Sequence, residues 1–435
     1  MRKILILIAL TISLCMNAQI TTNGTDNSGT DASAIGYNTT ASGDNSTAMG
    51  SNTIASGSYS TALGNGAYAT GGISTAMGIG TEASGLGSTA IGWQTKAIGT
   101  RSTAIGYITE ASGLNSTAMG YDTKASGLVS TAMGYDTEAS GQSSVAAGEY
   151  TTASGNVSTA MGLYSIASGD YSVAIGYGAL EEGSFSTGTP YYKNEAIGIR
   201  SHVIGNRNKS TGSKSFSIGS DNLSQGTGTF SVGENNISTG DYSMALGLFS
   251  ESVGNASFAF GNNAHADGFN TIAIGTANTI DENATADTWS INNRLLVVGN
   301  GQYNEETQTL ERSDAFTIMF NGDAILAGSL SVNSDAKLKS NIISLGSTLA
   351  KVLMLDGKRY SMKNDPESSA KIGLVAQNIQ QVFPELVSES NGIKSVNYQG
   401  LIPVLINAVK EQDEIIKKQD ERLAKLEQVI AKMNE

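Results

Sequence analysis

The 435-residue chain carries a formal net charge of −13, only 6% of its residues are aromatic, and small residues dominate the first two thirds. An acidic balance with no offsetting basic cluster argues against nucleic acid or an anionic membrane as partner. So few large side chains leave room only for a narrow core.

The N-terminus opens with Arg2 and Lys3, runs apolar from Ile4 to Leu14, and reaches small or polar residues at Ala18 and Gln19. This is the three-part pattern of a secretory signal over residues 1–18, with cleavage expected after Ala18. Cys15, the only cysteine, lies inside that segment and follows Leu14 rather than a small residue, which disfavours a lipid-anchored cysteine. The mature chain then has no thiol, so disulfides are excluded and stability comes from stacking, assembly or both. No later apolar run approaches the roughly 18 residues of a spanning helix, and alternating aromatic strands of a membrane barrel are absent from the C-terminus. These features predict a secreted or cell-surface bacterial protein with no transmembrane anchor.

Residues 19–35 lead in. Glycine then recurs every seventh residue from Gly36 through Gly183, and again from Gly198 through Gly275. The heptads alternate in flavour, Ser46 to Gly50 (STAMG) answered by Ala55 to Gly57 (ASG), so the period is 14 residues, with two short strands and two turns. One such coil has no interior of its own and gains one only by stacking, the logic of a solenoid over residues 36–276. Pro190, the only proline of the repeat, falls in the irregular stretch between Gly183 and Gly198, as expected where strands are paired on both sides. Strand alternation points Ala48 one way and Thr47 and Met49 the other, and stacks Met49, Leu63, Met77, Ile91, Ile105, Met119 and Met133 in one column. A lone solenoid would leave that apolar stripe in water, so one face packs inside the coil and the other against a partner chain.

These repeats resemble the heads of trimeric autotransporter adhesins, which share the Ala-x-Gly punctuation. The resemblance implies a trimer of left-handed parallel β-rolls and a host-surface, matrix or glycan ligand for the repeat domain. The asparagine-rich opening of the family motif is mostly Ser-Thr here. With rungs about 4.8 Å apart, some seventeen periods give a rod on the order of 80 Å.

Two further columns stand out. Tyr37, Tyr107, Tyr121, Tyr135 and Tyr177, with Trp93 in phase, form either a glycan-binding ladder or a packing ladder, the latter favoured. Threonines align from Thr47 to Thr131 and again at Thr95, Thr109, Thr123 and Thr137. An ice-binding solenoid would present such an array, but strand propensity and cross-rung pairing account for it better. Calcium-binding nonapeptide loops are absent, and His202 and His265 have no Cys or His companion at ligand spacing, so neither metal nor cofactor is expected.

Residues 277–333 form a β-rich connector: Leu295 to Val298 and Ala315 to Phe320 read as strands, and Asn321-Gly322-Asp323 before Ala324 to Leu326 as a hairpin turn. The run SDAKLKSNI (Ser334 to Ile342) is by itself an ordinary N-cap with a solvated lysine. Three blocks follow it: LGSTLAKVLMLDGKRYSM (Leu345 to Met362), KIGLVAQNIQQVFPELV (Lys371 to Val387) and VNYQGLIPVLINAVKEQ (Val396 to Gln412). Together these resemble the C-terminal intramolecular chaperone of endosialidases and phage tail fibres, the S74 peptidase family. The resemblance implies an α+β domain over residues 334–435 that assembles a homotrimer and then clips itself off. By position, Ser334 is the nucleophile and Lys339 the general base, cutting between Asn333 and Ser334. A serine hydroxyl near neutral pH needs a base, and a lysine serves if burial lowers its pKa. Tethering the hydroxyl beside the carbonyl it attacks supplies much of the rate. A spacing of five puts the pair on no common helix or strand face, so either the chain turns between them or a neighbouring subunit completes the site. Finally, Ile402, Leu405, Val409, Gln412, Ile416, Gln419, Leu423, Leu426, Ile430 and Met433 follow a 3-4 spacing, a coiled-coil seam over about 402–433 with two polar layers.

The sequence thus predicts a mainly β, secreted, homotrimeric fibre: a β-roll solenoid with a self-cleaving chaperone domain ending in a coiled-coil helix. The alternatives are a structural or adhesive fibre with a non-cleaving trimerisation domain, and a glycan- or ice-binding solenoid.

Overall fold

The computed structural model describes residues 23–178, 193–363 and 370–433. The signal segment 1–18 with Cys15, the start of the lead-in, Gly183 and the stretch around Pro190 lie outside the described residues. The chain divides at Gly328–Ser329 into two compact units.

In the first unit each 14-residue period makes one five-residue strand and one of two or three residues, as in Thr103–Tyr107 and Glu110–Ala111. Successive coils pair in parallel with like residues opposed: Thr103 with Thr117, Ala104 with Ala118, Ile105 with Met119, Gly106 with Gly120. Long strands build one sheet and short strands a second, 16-stranded one. Between them lies a core whose apolar part is almost entirely alanine, one from each sheet per coil, with Ala104 and Ala111 both fully buried and flanked by buried Ser102 and Thr109. The glycine beat is the steric counterpart of that thin core. A Cβ on Gly106 (φ +133°) would lie 2.0 Å from the carbonyl oxygen of Gly120, and one on Gly113 2.0 Å from that of Gly127. Each coil turns two corners through left-handed backbone, held by Asn38, Asn52 and Asp122 at one and by Asn45 and Asn115 at the other. Asparagine and aspartate tolerate that conformation, but Ile73 and Val129 occupy it as well.

Between Asn208 and Ser238 the interior becomes polar. Ser210, Ser217, Ser224, Ser231 and Ser238 replace core alanines and form a buried chain of hydroxyls 2.9–3.0 Å apart. Asn208, Asn222 and Asn236 stack beside it, each side-chain amide donating to the oxygen of the one before, as Asn222 does to Asn208 at 3.0 Å.

Stacking also extends past the regular beat. Asn23 and Asp26, in the lead-in, already bridge to Tyr37 and Thr40. The long-strand sheet crosses both interruptions in register, with Gly176 opposite Gly205 and Gly275 opposite Gly299. The connector strand Arg294–Asn300 is therefore one more rung. Against it runs Asp314–Met319, antiparallel, followed through the Asn321–Asp323 turn by Ala324–Leu326. A small hairpin of Gln302–Asn304 and Thr309–Glu311 was not evident from the sequence.

The second unit holds short helices Leu349–Val352 and Ala376–Val382, hairpins Lys358–Tyr360/Lys371–Gly373 and Val387–Ser390/Ile393–Val396, and a long helix Leu401–Met433. Its core is small: Ile379, Phe383, Leu386, Leu401 and Val404. Only Leu401, Val404 and Ala408 of the long helix are buried, leaving Leu405, Val409, Ile416, Leu423 and Ile430 exposed. Among the described residues no helix is long and apolar enough to cross a membrane.

Candidate functional site

Ser334 lies outside any helix or strand, and Asp335, with extended backbone (φ −62°, ψ 134°), starts a single 3-10 turn, Ala336–Leu338. Leu338 and Lys339 close the turn by donating their amides to the carbonyls of Asp335 and Ala336, at 3.0 and 3.1 Å. This folds Lys339 back so that its Nζ donates to Ser334 Oγ at 2.6 Å. The five-residue spacing is thus met within one chain by a turn. Asn333, Ser334 and Lys339 are all exposed, so none of the described residues desolvates the pair.

The blocks downstream build the support. Ser347 donates its hydroxyl to Glu411 at 2.6 Å, and the Thr348 and Leu349 amides donate at 2.5 and 3.3 Å, so one carboxylate of the long helix caps the helix Leu349–Val352. The Ser347 hydroxyl first, then the Thr348 amide, hold Glu411 below the usual carboxylate range. Thr348 Oγ1 also donates to the Val404 carbonyl at 3.0 Å.

The repeat's conspicuous columns are also placed. Trp93, Tyr107, Tyr121 and Tyr135 stack in sequence, with ring centroids 6.1, 4.9 and 4.8 Å apart and nearly parallel planes. Tyr150, from the adjacent corner, meets Tyr135 edge-on at 5.4 Å and stacks in turn on Tyr164 at 4.9 Å. The ring faces that would receive a sugar are turned on one another, which is packing-ladder geometry. Thr95, Thr109, Thr123 and Thr137 are buried inside the coils, and Thr47 to Thr131 are half-buried. Neither set is the flat exposed array that ice binding would require.

His202 stacks on Phe216 at 4.5 Å, and burial lowers its pKa. His265, isolated in sequence, is not isolated in space. Its Nε2 lies 3.1 Å from Glu251, its Nδ1 abuts Asp267, and Asp267 accepts in turn from the buried Arg294 at 2.7 Å. Arg294 also meets Asp314 at 3.3 Å. Burial alone would lower the His265 pKa, but the two carboxylates outweigh it and push it up to about 9. The cluster locks the last coils to the hairpin after them; the only sequence signal was Glu251 and His265 at the same coil position. Among the described residues no group of His, Cys, Asp or Glu is suited to hold a metal.

Comparison with protein families gives two matches. The YadA head domain repeat matches residues 28–53, 55–81, 83–107, 111–137, 139–165, 153–179, 224–250 and 252–278. The chaperone of endosialidase, Peptidase_S74, matches residues 334–388, beginning at Ser334. No curated protein matches the chain. A run of YadA head repeats followed by an endosialidase-type chaperone domain, the chain has the make-up of an adhesin- or tail-fibre-like protein.

Proposed function

We propose that this protein is a secreted homotrimeric surface fibre whose C-terminal domain, residues 334–435, promotes assembly and then removes itself by cutting between Asn333 and Ser334. The observation that carries the reading is the 2.6 Å hydrogen bond between Lys339 Nζ and Ser334 Oγ at the first residue of the chaperone match. Lys339, once neutral, takes the Ser334 hydroxyl proton as Oγ attacks the Asn333 carbonyl carbon. The Oγ–C bond forms, the C–N bond breaks, and the proton passes from Lys339 to the departing Ser334 amine. Water then hydrolyses the resulting ester, freeing the Asn333 carboxylate and restoring the hydroxyl. Each chain reacts once, and tethering replaces a substrate pocket.

A lysine becomes a base only when water is excluded from it. In one chain the pair is open to solvent, and the apolar side chains around it, Leu330, Val332, Leu338, Ile342 and Ile343, are exposed too. Packing of neighbouring copies over this segment would dry both, which makes cleavage conditional on assembly. The exposed 3-4 seam of the long helix and the column of Met49, Met77 and Ile105 on the coils, each more than a third exposed, supply apolar surface for three chains. The adhesive ligand of the head is a host-surface, matrix or glycan component.

Intact mass and N-terminal sequencing of protein expressed without its signal, beside Ser334→Ala, test the reading. Wild type should yield a fragment starting at Ser334 while the variant stays whole. If both stay whole yet trimeric, the domain is a permanent trimerisation cap.

A further inference from the structure

We propose that Asp335 is a positioning residue for self-cleavage, its carboxylate capping the turn that returns Lys339 to Ser334. The inference rests on the reading of Ser334 and Lys339 as nucleophile and base. The two meet only because Ala336–Leu338 coils into one 3-10 turn. A turn this short is weak alone, since it fixes several backbone dihedrals in exchange for two backbone hydrogen bonds. No packing compensates: residues 331 to 347 are exposed throughout. The side-chain restraint comes from Asp335, whose Oδ1 accepts from the Lys337 amide at 2.8 Å while its own backbone stays extended. That is N-cap geometry, and it satisfies a donor the turn would otherwise leave to water. With Oδ1 spent on the turn and Ser334 Oγ held by Lys339, the carboxylate holds geometry and moves no proton.

The test follows single-turnover cleavage by intact mass in the full chain lacking its signal, for wild type, Asp335→Ala, Asp335→Asn and Ser334→Ala, checking the trimer content of each. Asp335→Ala removes the cap and is expected to slow cleavage about 2- to 30-fold. Asp335→Asn keeps the acceptor, and is expected to cut within about twofold of wild type with an unchanged pH–rate profile. An Asn variant as slow as the Ala variant, or one with a shifted profile, shows that the charge acts chemically and overturns the proposal. So does an Ala variant as fast as wild type. Should the Ala variant fail to assemble, the rate and pH profile of the Asn variant decide. A wild type that stays whole, or a Ser334→Ala variant that still cuts, fails differently: it removes the serine–lysine reading itself, and this role with it.

Discussion

Deprotonating His265 should loosen the lock between the last coils and the hairpin that follows them. The imidazolium is buried between Glu251 and Asp267, and Asp267 is shared with Arg294. Its pKa rises from an ordinary 6.5 to about 9 in the folded chain. At 1.36 kcal/mol per unit, that shift corresponds to about 3 kcal/mol of stabilisation. Because the folded-state value is the higher one, the contribution is complete below about pH 6.5, declines above it, and is lost as the pH passes about 9. Trp289, 6.2 Å from Phe320 across the hairpin, reports on this region, and Trp93→Phe removes the only other tryptophan. Urea unfolding of the Trp93→Phe protein, followed by tryptophan fluorescence, should give a local stability about 3 kcal/mol lower at pH 9.5 than at pH 6. His265→Gln should be weaker at pH 6 and nearly flat across the range. Equal slopes in the two proteins would refute the assignment, because the pH dependence would then come from other groups.

Three further outcomes follow from the geometry. Gly106→Ala drives a Cβ to 2.0 Å from the next rung's carbonyl and should cost about 3 kcal/mol or more, while Gly66→Ala, whose nearest neighbour would be 3.8 Å away, should cost only the left-handed penalty of about 1 kcal/mol; thermal unfolding of both variants checks the contrast. Val129 is a β-branched residue at φ +58° where Asn115 sits one coil earlier, so Val129→Asn should stabilise by about 1 kcal/mol in chemical denaturation. Glu411, with its pKa depressed by hydrogen bonds, stabilises the chaperone unit above the usual glutamate range and ceases to as pH falls through its folded pKa; Glu411→Gln should lower the melting temperature at pH 7 and flatten its acid dependence.

What could be read from the sequence follows from what each constraint depends on. The glycine beat is legible because it is enforced locally, by the closeness of one coil to the next, and it carries the strands, the alanine core and the period with it. The rung at Gly299 was not legible, since the insertion before it destroys the period while leaving the sheet intact. Left-handed corners at Tyr59 and Val129 give no turn signal, because stacking on both sides imposes the conformation that Asn or Gly would adopt freely. Asp267 and Arg294 lie too far apart in the chain to be recognised as a pair. At the candidate site, spacing alone excluded a shared face but not the turn or the neighbouring subunit, and Asp335 read as an ordinary N-cap. It is one, on a turn whose importance depends on what stands at its two ends.

A shaft of near-identical coils also has to specify its own register. Alanine meets alanine and glycine meets glycine whether or not a coil is skipped, so the core does not discriminate. Part of the shaft solves this with charge. Glu82, Lys96, Glu110, Lys124 and Glu138 face one another across successive rungs. A stack omitting one coil sets Glu82 against Glu110, or Lys96 against Lys124, replacing attraction with a like-charge contact that costs up to about 1 kcal/mol. Elsewhere the same position holds Thr40, Ile54, Thr152 and Ile166, which report no slip. There the register has to be inherited from a place that occurs once. The Glu251–His265–Asp267–Arg294–Asp314 cluster is such a place, because Arg294 opens the last, irregular rung and Asp314 the antiparallel strand against it, neither of which is a 14-residue coil. A stack that grows from this lock is in register from its first rung, whereas a nucleus formed among the uncharged coils has nothing to correct it. Where the coils carry no such charges, register has to come from residues that do not repeat, and this cluster is one such set.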